Sequence, residues 1–187
     1  MALALLLLVP GRARAEWQFK PFLGAAFGAS TTFYDLDQTA GSPKVTFGVT
    51  GLLLGDVLGV EGDFGYVPGF FTGGVLVSSS GVTTLMGNAV VALPRRTAGY
   101  SLRPYFVGGA GFMHVTSSLF ENLEGISATL PAMDLGGGAT GFLSKRIGLN
   151  WDVRYIRSIG TGQIRGQSLG PEQLSFWRAT MAVAIRY

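Results

Sequence analysis

The chain has no cysteine, which excludes disulfide scaffolds, thiol nucleophiles and cysteine-bound metals, and leaves nothing to mispair in an oxidising compartment. It has one histidine, His114, so any catalytic triad, imidazole metal cluster or histidine proton relay must be built around it. Charge is also scarce. Asp, Glu, Lys and Arg make up 13% of the chain, about half the share usual in soluble domains. Long apolar runs are missing as well: past residue 15 none approaches the roughly 20 residues that a membrane-spanning helix needs. Yet 48% of the residues are hydrophobic, 12% are aromatic, and 29 are glycine. Apolarity without a spanning helix points to strands that carry their apolar residues at every second position. A length of 187 residues suits one domain.

The final segment shows that alternation most plainly. In Trp177-Arg178-Ala179-Thr180-Met181-Ala182-Val183-Ala184-Ile185-Arg186-Tyr187 the odd positions are apolar and the even ones carry Arg, Thr and Ala. A stripe of this kind ending on an aromatic fits the closing strand of a transmembrane β-barrel, its aromatic in the interfacial girdle. Met181, Val183, Ile185 and Tyr187 are therefore expected to form a C-terminal assembly signal read by the barrel-assembly machinery.

The first fifteen residues differ. Ala2 to Val9 are apolar, and Ala13-Arg14-Ala15 offers a small-x-small cleavage site, so residues 1–15 are expected to be a signal peptide and residues 16–187 the barrel domain. Without Arg12 and Arg14 the 14 basic residues become 12 against 11 acidic, a formal +1. A nearly neutral mature chain gives no reason to expect a nucleic-acid partner.

Eight strands are expected. The first covers residues 17–29, with Trp17, Phe19, Leu23 and Phe27 on one face and Phe22 breaking the alternation. The second sets Val45, Phe47, Val49 and Leu53 against Lys44, Thr46 and Thr50, and the third sets Leu58, Val60, Phe64 and Tyr66 against Glu61 and Asp63. Strands over residues 83–93, 103–115 and 133–143 have apolar residues or glycine on both parities, which leaves their faces open. The seventh alternates again, with Ile147, Leu149, Trp151, Val153 and Tyr155 opposite Asn150, Asp152 and Arg154. An even count closes an antiparallel up-and-down all-β barrel without an exposed edge. Short links at Gly55-Asp56, 94–102 and 144–146 alternate with long ones at 30–43, 67–81, 116–131 and 158–171, as periplasmic turns alternate with external loops. Arg95, Arg96, Arg103, Lys145 and Arg146 gather at the short-link end, where they are expected to meet solvent or lipid headgroups.

The segments Gly59-Val60-Glu61-Gly62-Asp63-Phe64-Gly65-Tyr66, 88–94, Arg103-Pro104-Tyr105 leading into Gly108-Gly109-Ala110-Gly111, and Asp152-Val153-Arg154-Tyr155 resemble the outer-membrane β-barrel family of OmpA-like and opacity-type small surface proteins. The resemblance spans nearly all of the mature chain and implies a barrel exported through the periplasm into the outer membrane. It says little of activity, because such proteins act as adhesins and structural anchors. No peptidoglycan-binding domain is expected after the barrel, and with it no periplasmic anchoring role.

Gly136-Gly137-Gly138-Ala139-Thr140-Gly141 matches G-x-G-x-x-G formally, but no helical periodicity follows it, so a dinucleotide site is rejected and room in the lumen is the better reason for the glycines. His114 with Thr116, Ser117 and Glu121 or Glu124 bears a loose likeness to eight-stranded lipid A deacylases. The His-x-Ser motif is absent, a threonine standing in its place, and neither enzyme activity nor a cofactor or metal is expected. The inward charges Glu61, Asp63, Asp152, Arg154 and Arg178, with Asn88 and Thr180 beside them, must pair in a lumen this narrow. They are expected to plug it; the alternative is a gate in a small passive channel. Phe33, Tyr34, Phe70, Phe71, Leu76, Val77 and Leu119 fall in the long links, either as a recognition surface for host or surface ligands or as extensions of the strands. The expected function is a barrel with a structural or adhesion-like role, in contact with outer-membrane lipids.

Overall fold

The computed structural model describes residues 15–31, 43–70, 77–94, 102–119, 126–159, 163–164, 167–168 and 174–187. Alternating side chains drive eight long strands: β1 (Glu16–Thr31), β2 (Lys44–Leu54), β3 (Leu58–Pro68), β4 (Val77–Ala92), β5 (Leu102–Leu119), β6 (Ile126–Phe142), β7 (Ile147–Ser158) and β10 (Leu174–Arg186). They close into one barrel in the order β1-β10-β7-β6-β5-β4-β3-β2, every pairing antiparallel. Between β7 and β10 the short strands β8 (Gln163–Ile164) and β9 (Gln167–Ser168) pair only with each other. Among the described residues no helix is long and apolar enough to cross a membrane; the crossing is made by strands.

The outer wall carries the apolar stripes. Trp17, Phe19, Leu23 and Phe27 on β1, Val60 and Phe64 on β3, Trp151 and Val153 on β7, and Met181 and Val183 on β10 are all exposed, as residues facing hydrocarbon must be. Phe22, which breaks the pattern of β1, turns inward and lies under the Arg178 guanidinium, 4.8 Å from ring centroid to Cζ. The open parities resolve in the same way. On β4 Met86, Asn88 and Val90 point in and Leu85 and Val91 out; on β5 Tyr105, Val107 and Met113 point in and Phe106 and Phe112 out; on β6 Asp134 points in between Met133 and Leu135.

The strands at the middle of the chain are longer than expected. β4 begins at Val77, β5 runs to Leu119 and β6 begins at Ile126, so much of 67–81 and 116–131 is paired backbone and not loop. Ser79, Ser80, Ser117 and Ser118 pair across β4 and β5. Their polarity suits a wall standing above the hydrocarbon, where strand pairing continues without need of an apolar face. At about 3.3 Å per residue and a tilt near 40°, the 18 residues of β5 rise roughly 45 Å, well past an apolar band about 25 Å tall.

Inside, an apolar layer fills the long-link end, where Val67, Phe70, Met86, Met113, Ile156, Leu174 and Phe176 pack together. A smaller one, with Leu52, Leu54, Val90 and Val107, lies toward the short turns on the side of β2, β4 and β5. Phe70 is thus no part of an exposed recognition surface: it is 2% exposed and meets Phe176 edge-on at 5.2 Å. Val77 and Leu119 belong to strands, whereas Phe33, Tyr34, Phe71 and Leu76 lie outside the described residues, as do Arg95 and Arg96.

Candidate functional site

Between the apolar layers lies a layer of charge. The five inward residues Glu61, Asp63, Asp152, Arg154 and Arg178 converge there, each at most 4% exposed. Arg154 is the hub. Its Nη1 donates to Glu61 Oε1 at 2.7 Å and to Asp134 Oδ2 at 3.4 Å, while its Nε and Nη2 donate to the two oxygens of Asp152 at 2.6 and 3.1 Å. Arg178 forms the second pair, Nη2 donating to Asp63 Oδ1 at 2.7 Å, and Thr50 Oγ1 donates to the other oxygen of Asp63 at 2.9 Å. Asn88 Nδ2 bridges Glu61 and Asp134 at 3.1 and 3.2 Å. Thr180 is buried nearby on β10, directly opposite Asp152 on β7.

Glycine makes space for both arginine side chains. A Cβ on Gly136 would stand 2.8 Å from Arg154 Cγ, and one on Gly65 would stand 2.5 Å from Arg178 Nη1. Part of the glycine run in β6 therefore serves the lumen, and the run is followed by strand and turn, never by a helix.

Three members of the layer, Asp134, Lys20 and Tyr105, are additional to those expected from the sequence, and Asn150, expected on the inward face of β7, joins them. Asp134 completes the acidic side. Lys20 Nζ lies 3.3 Å from Asn150 Oδ1 and 5.1 Å from the centroid of the Tyr105 ring, and the Tyr105 hydroxyl donates to Asp152 Oδ2 at 2.7 Å. A lone acid between Met133 and Leu135 was the available signal for Asp134; Lys20, Tyr105 and Asn150 sat on the same alternating parity as their inward neighbours. The layer then holds four carboxylates against Lys20, Arg154 and Arg178. The space left among Lys20, Asp63, Asp152 and Arg154 is about 10 Å³, the volume of a single water site.

Arg103, expected to meet solvent or lipid headgroups, is instead 7% exposed and turned under the barrel. It donates to the carbonyls of Leu93, Gly55 and Asp56 at 2.9, 3.0 and 2.7 Å and so ties two short turns together. His114 lies on the outer face of β5, its Nδ1 2.9 Å from Thr129 Oγ1 and its Nε2 3.5 Å from Ser127 Oγ. Thr116 shares that exposed face; Glu121 and Glu124 lie outside the described residues. Among the described residues no cluster of His, Asp and Glu is arranged to hold a metal ion.

A closed eight-stranded barrel with an apolar outer wall and a paired polar interior defines a small outer-membrane barrel. The chain belongs to the outer membrane protein beta-barrel domain family, whose model matches residues 1–175. It is therefore an outer-membrane protein. No curated protein sequence matches it. Its fold is similar to that of Neisserial surface protein A, with a TM-score of 0.67 at 10% identity over 92% of this chain and 97% of that one. It is similar too to the N-terminal β-barrel domain of Pseudomonas aeruginosa OprF, with 0.59 at 13% over 94% and 100%. A third likeness is to Ail, the attachment invasion locus protein of Yersinia pestis, with 0.55 at 16% over 91% and 98%. Ail has also been solved in complex with the heparin analogue sucrose octasulfate.

Proposed function

We propose that this protein is a plugged barrel, a membrane-anchored scaffold whose work is structural or adhesion-like and is done by the part that stands outside the membrane. One observation carries the reading: within the ion-paired layer around Arg154 the pocket among Lys20, Asp63 and Asp152 holds only about 10 Å³, and the apolar cluster of Phe70, Met113 and Phe176 lies above the layer. Ions crossing the lumen would have to part buried pairs and then traverse oil, and both steps are costly. The wall of β4, β5 and β6 supports the second half of the proposal, because its outer face exposes His114, Thr116, Ser127 and Thr129, groups that bind by hydrogen bonding. The name of Ail describes an attachment protein, which agrees with such a role.

The test pairs two measurements on one preparation. In planar bilayers the purified protein shows no steady conductance. Shortening the chain between β1 and β2, between β3 and β4, between β5 and β6 and between β7 and β10, with the eight long strands left whole, removes binding to cells, matrix or lipopolysaccharide while the barrel still folds. Large, stable currents from the wild type would replace the plug with a channel.

A further inference from the structure

The outer wall is unevenly filled over β1, β10 and β7. Ala25 and Ala179 lie side by side across the β1–β10 pairing, and Val153 continues their row on β7. The two alanines leave a groove of about 850 Å³, rimmed by Leu23, Met181, Trp151, Leu149 and Val183. It runs toward the short turns, since Leu149 and Val183 are paired one outward position above Ile147 and Ile185.

At that end stands a basic turn. Ser144 Oγ accepts the N–H groups of Arg146 and Ile147 at 3.3 and 3.0 Å, which fixes the turn's shape and leaves Lys145 and Arg146 exposed. Arg186 is held beside them, donating twice to the Lys145 carbonyl at 2.8 and 2.6 Å and lying 4.2 Å over the Phe142 ring. Glu16, 3.5 Å away, offsets Arg186, so the positive charge at the mouth is that of Lys145 and Arg146.

The dimensions agree with one leaflet. Along β10 the groove runs from Ala179 to Val183, four steps that cover about 13 Å, or roughly 10 Å along the membrane normal at a tilt near 40°, and half of an apolar band about 25 Å tall is of similar length. We propose that the groove and turn together bind an anionic glycerophospholipid of the periplasmic leaflet, its phosphate on Lys145 and Arg146 and one acyl chain lying against Ala25 and Ala179.

Trp151 on the rim reports occupancy. The chain has three tryptophans, so Trp17→Phe with Trp177→Phe leaves Trp151 alone, while Trp17→Phe with Trp151→Phe leaves Trp177 near the opposite end as a control. Each protein is reconstituted in phosphatidylcholine vesicles containing the same small fraction of either phosphatidylglycerol or phosphatidylcholine with brominated acyl chains, and its fold is checked by the heat-dependent shift in gel mobility. The apparent affinity of brominated phosphatidylglycerol at Trp151 exceeds that of brominated phosphatidylcholine by about fivefold for each of the two cations at low salt, and the Trp177 protein shows no preference. Lys145→Gln with Arg146→Gln, both on an exposed turn, brings the ratio to one, and Ala179→Leu lowers it by filling the groove. Equal quenching by the two lipids at Trp151, or a preference that survives loss of both cations, overturns the proposal. So does exclusion of both lipids from Trp151 together with a cross-linked dimer, which would assign the groove to a second copy.

Discussion

Arg154 on β7 and Glu61 on β3 form a 2.7 Å ion pair across the full width of the barrel, because these two strands stand opposite each other in the closed order. Arg154→Ala is expected to destabilise the barrel by about 3–5 kcal/mol, most of it the cost of stranding buried carboxylates. Adding Glu61→Gln recovers part of this loss, and only part, since Asp152 and Asp134 also face the guanidinium. Urea unfolding of the single and double variants, followed by tryptophan fluorescence, measures the coupling; strictly additive losses would show that the two residues act independently.

The four lumen carboxylates are not equally held. Asp63 accepts from Arg178 and Thr50, whereas Asp134 has its closest cation 3.4 Å away and an Oδ1 with no partner among the described residues. With three cations for four acids, Asp134→Asn is expected to leave stability within about 1 kcal/mol of wild type, while Asp63→Asn costs about 1.5–3 kcal/mol, the worth of a hydrogen bond to a charged group. The ranking in the same unfolding assay is the check, and a reversed order would mean that charge balance does not govern the layer.

Phe70 closes the long-link end of the lumen against Phe176. Phe70→Ala should lower stability by about 3–5 kcal/mol through the cavity it leaves. It should not create conductance, because the charged layer beneath it is intact. Bilayer currents appearing in this variant alone would move the seal from the ion pairs to the aromatic pair.

Val153 projects outward near the level where the two leaflets meet, and Arg in its place is expected to cost about 2–4 kcal/mol. Within the proposed assembly signal, Val183→Asp or loss of Tyr187 should reduce the folded, membrane-embedded fraction in cells. Heat-dependent gel mobility of membrane fractions distinguishes folded from unfolded chains; wild-type levels of folded Val183→Asp would argue that this stripe is not read during assembly.

The mature protein is expected to begin near Glu16 after cleavage behind Ala15. Sequencing the N-terminus of outer-membrane protein tests this, and a chain that retains residues 1–15 would refute cleavage.

Where the two faces of a strand differ in chemistry, the sequence was readable. On β3, β7 and β10 charge on one parity and Val, Leu, Trp or Met on the other separate lumen from lipid at sight. On β4, β5 and β6 they do not differ. There the lumen is filled with Met86, Val107, Met113 and Leu130, as apolar as the lipid-facing Leu85, Phe106 and Phe112, so a period of two leaves no contrast. Asp134 went unassigned with its strand. Lys20 was lost for another reason: Phe22, two residues on, points the same way as a ring seated beneath Arg178, and its bulk made an inward run look irregular. Strand ends were misjudged because serine and threonine serve equally in loops and in a wall that has left the hydrocarbon.

The pairing of Arg154 with Glu61 joins strands that are as far apart around the sheet as two strands can be, and it has an implication for the order of events during insertion. A flat sheet holds the two ends of this bond four strands apart, half the barrel's circumference, so Glu61 lacks its guanidinium until the sheet has curled, whereas Arg154 keeps Asp152 on its own strand and Asp134 on the next. Asp63 on β3 is in the same position, since Arg178 on β10 reaches it only across the closed lumen. The acids of β3 thus make an open sheet costly to bury in lipid, and curling and completion of the charged layer become one event.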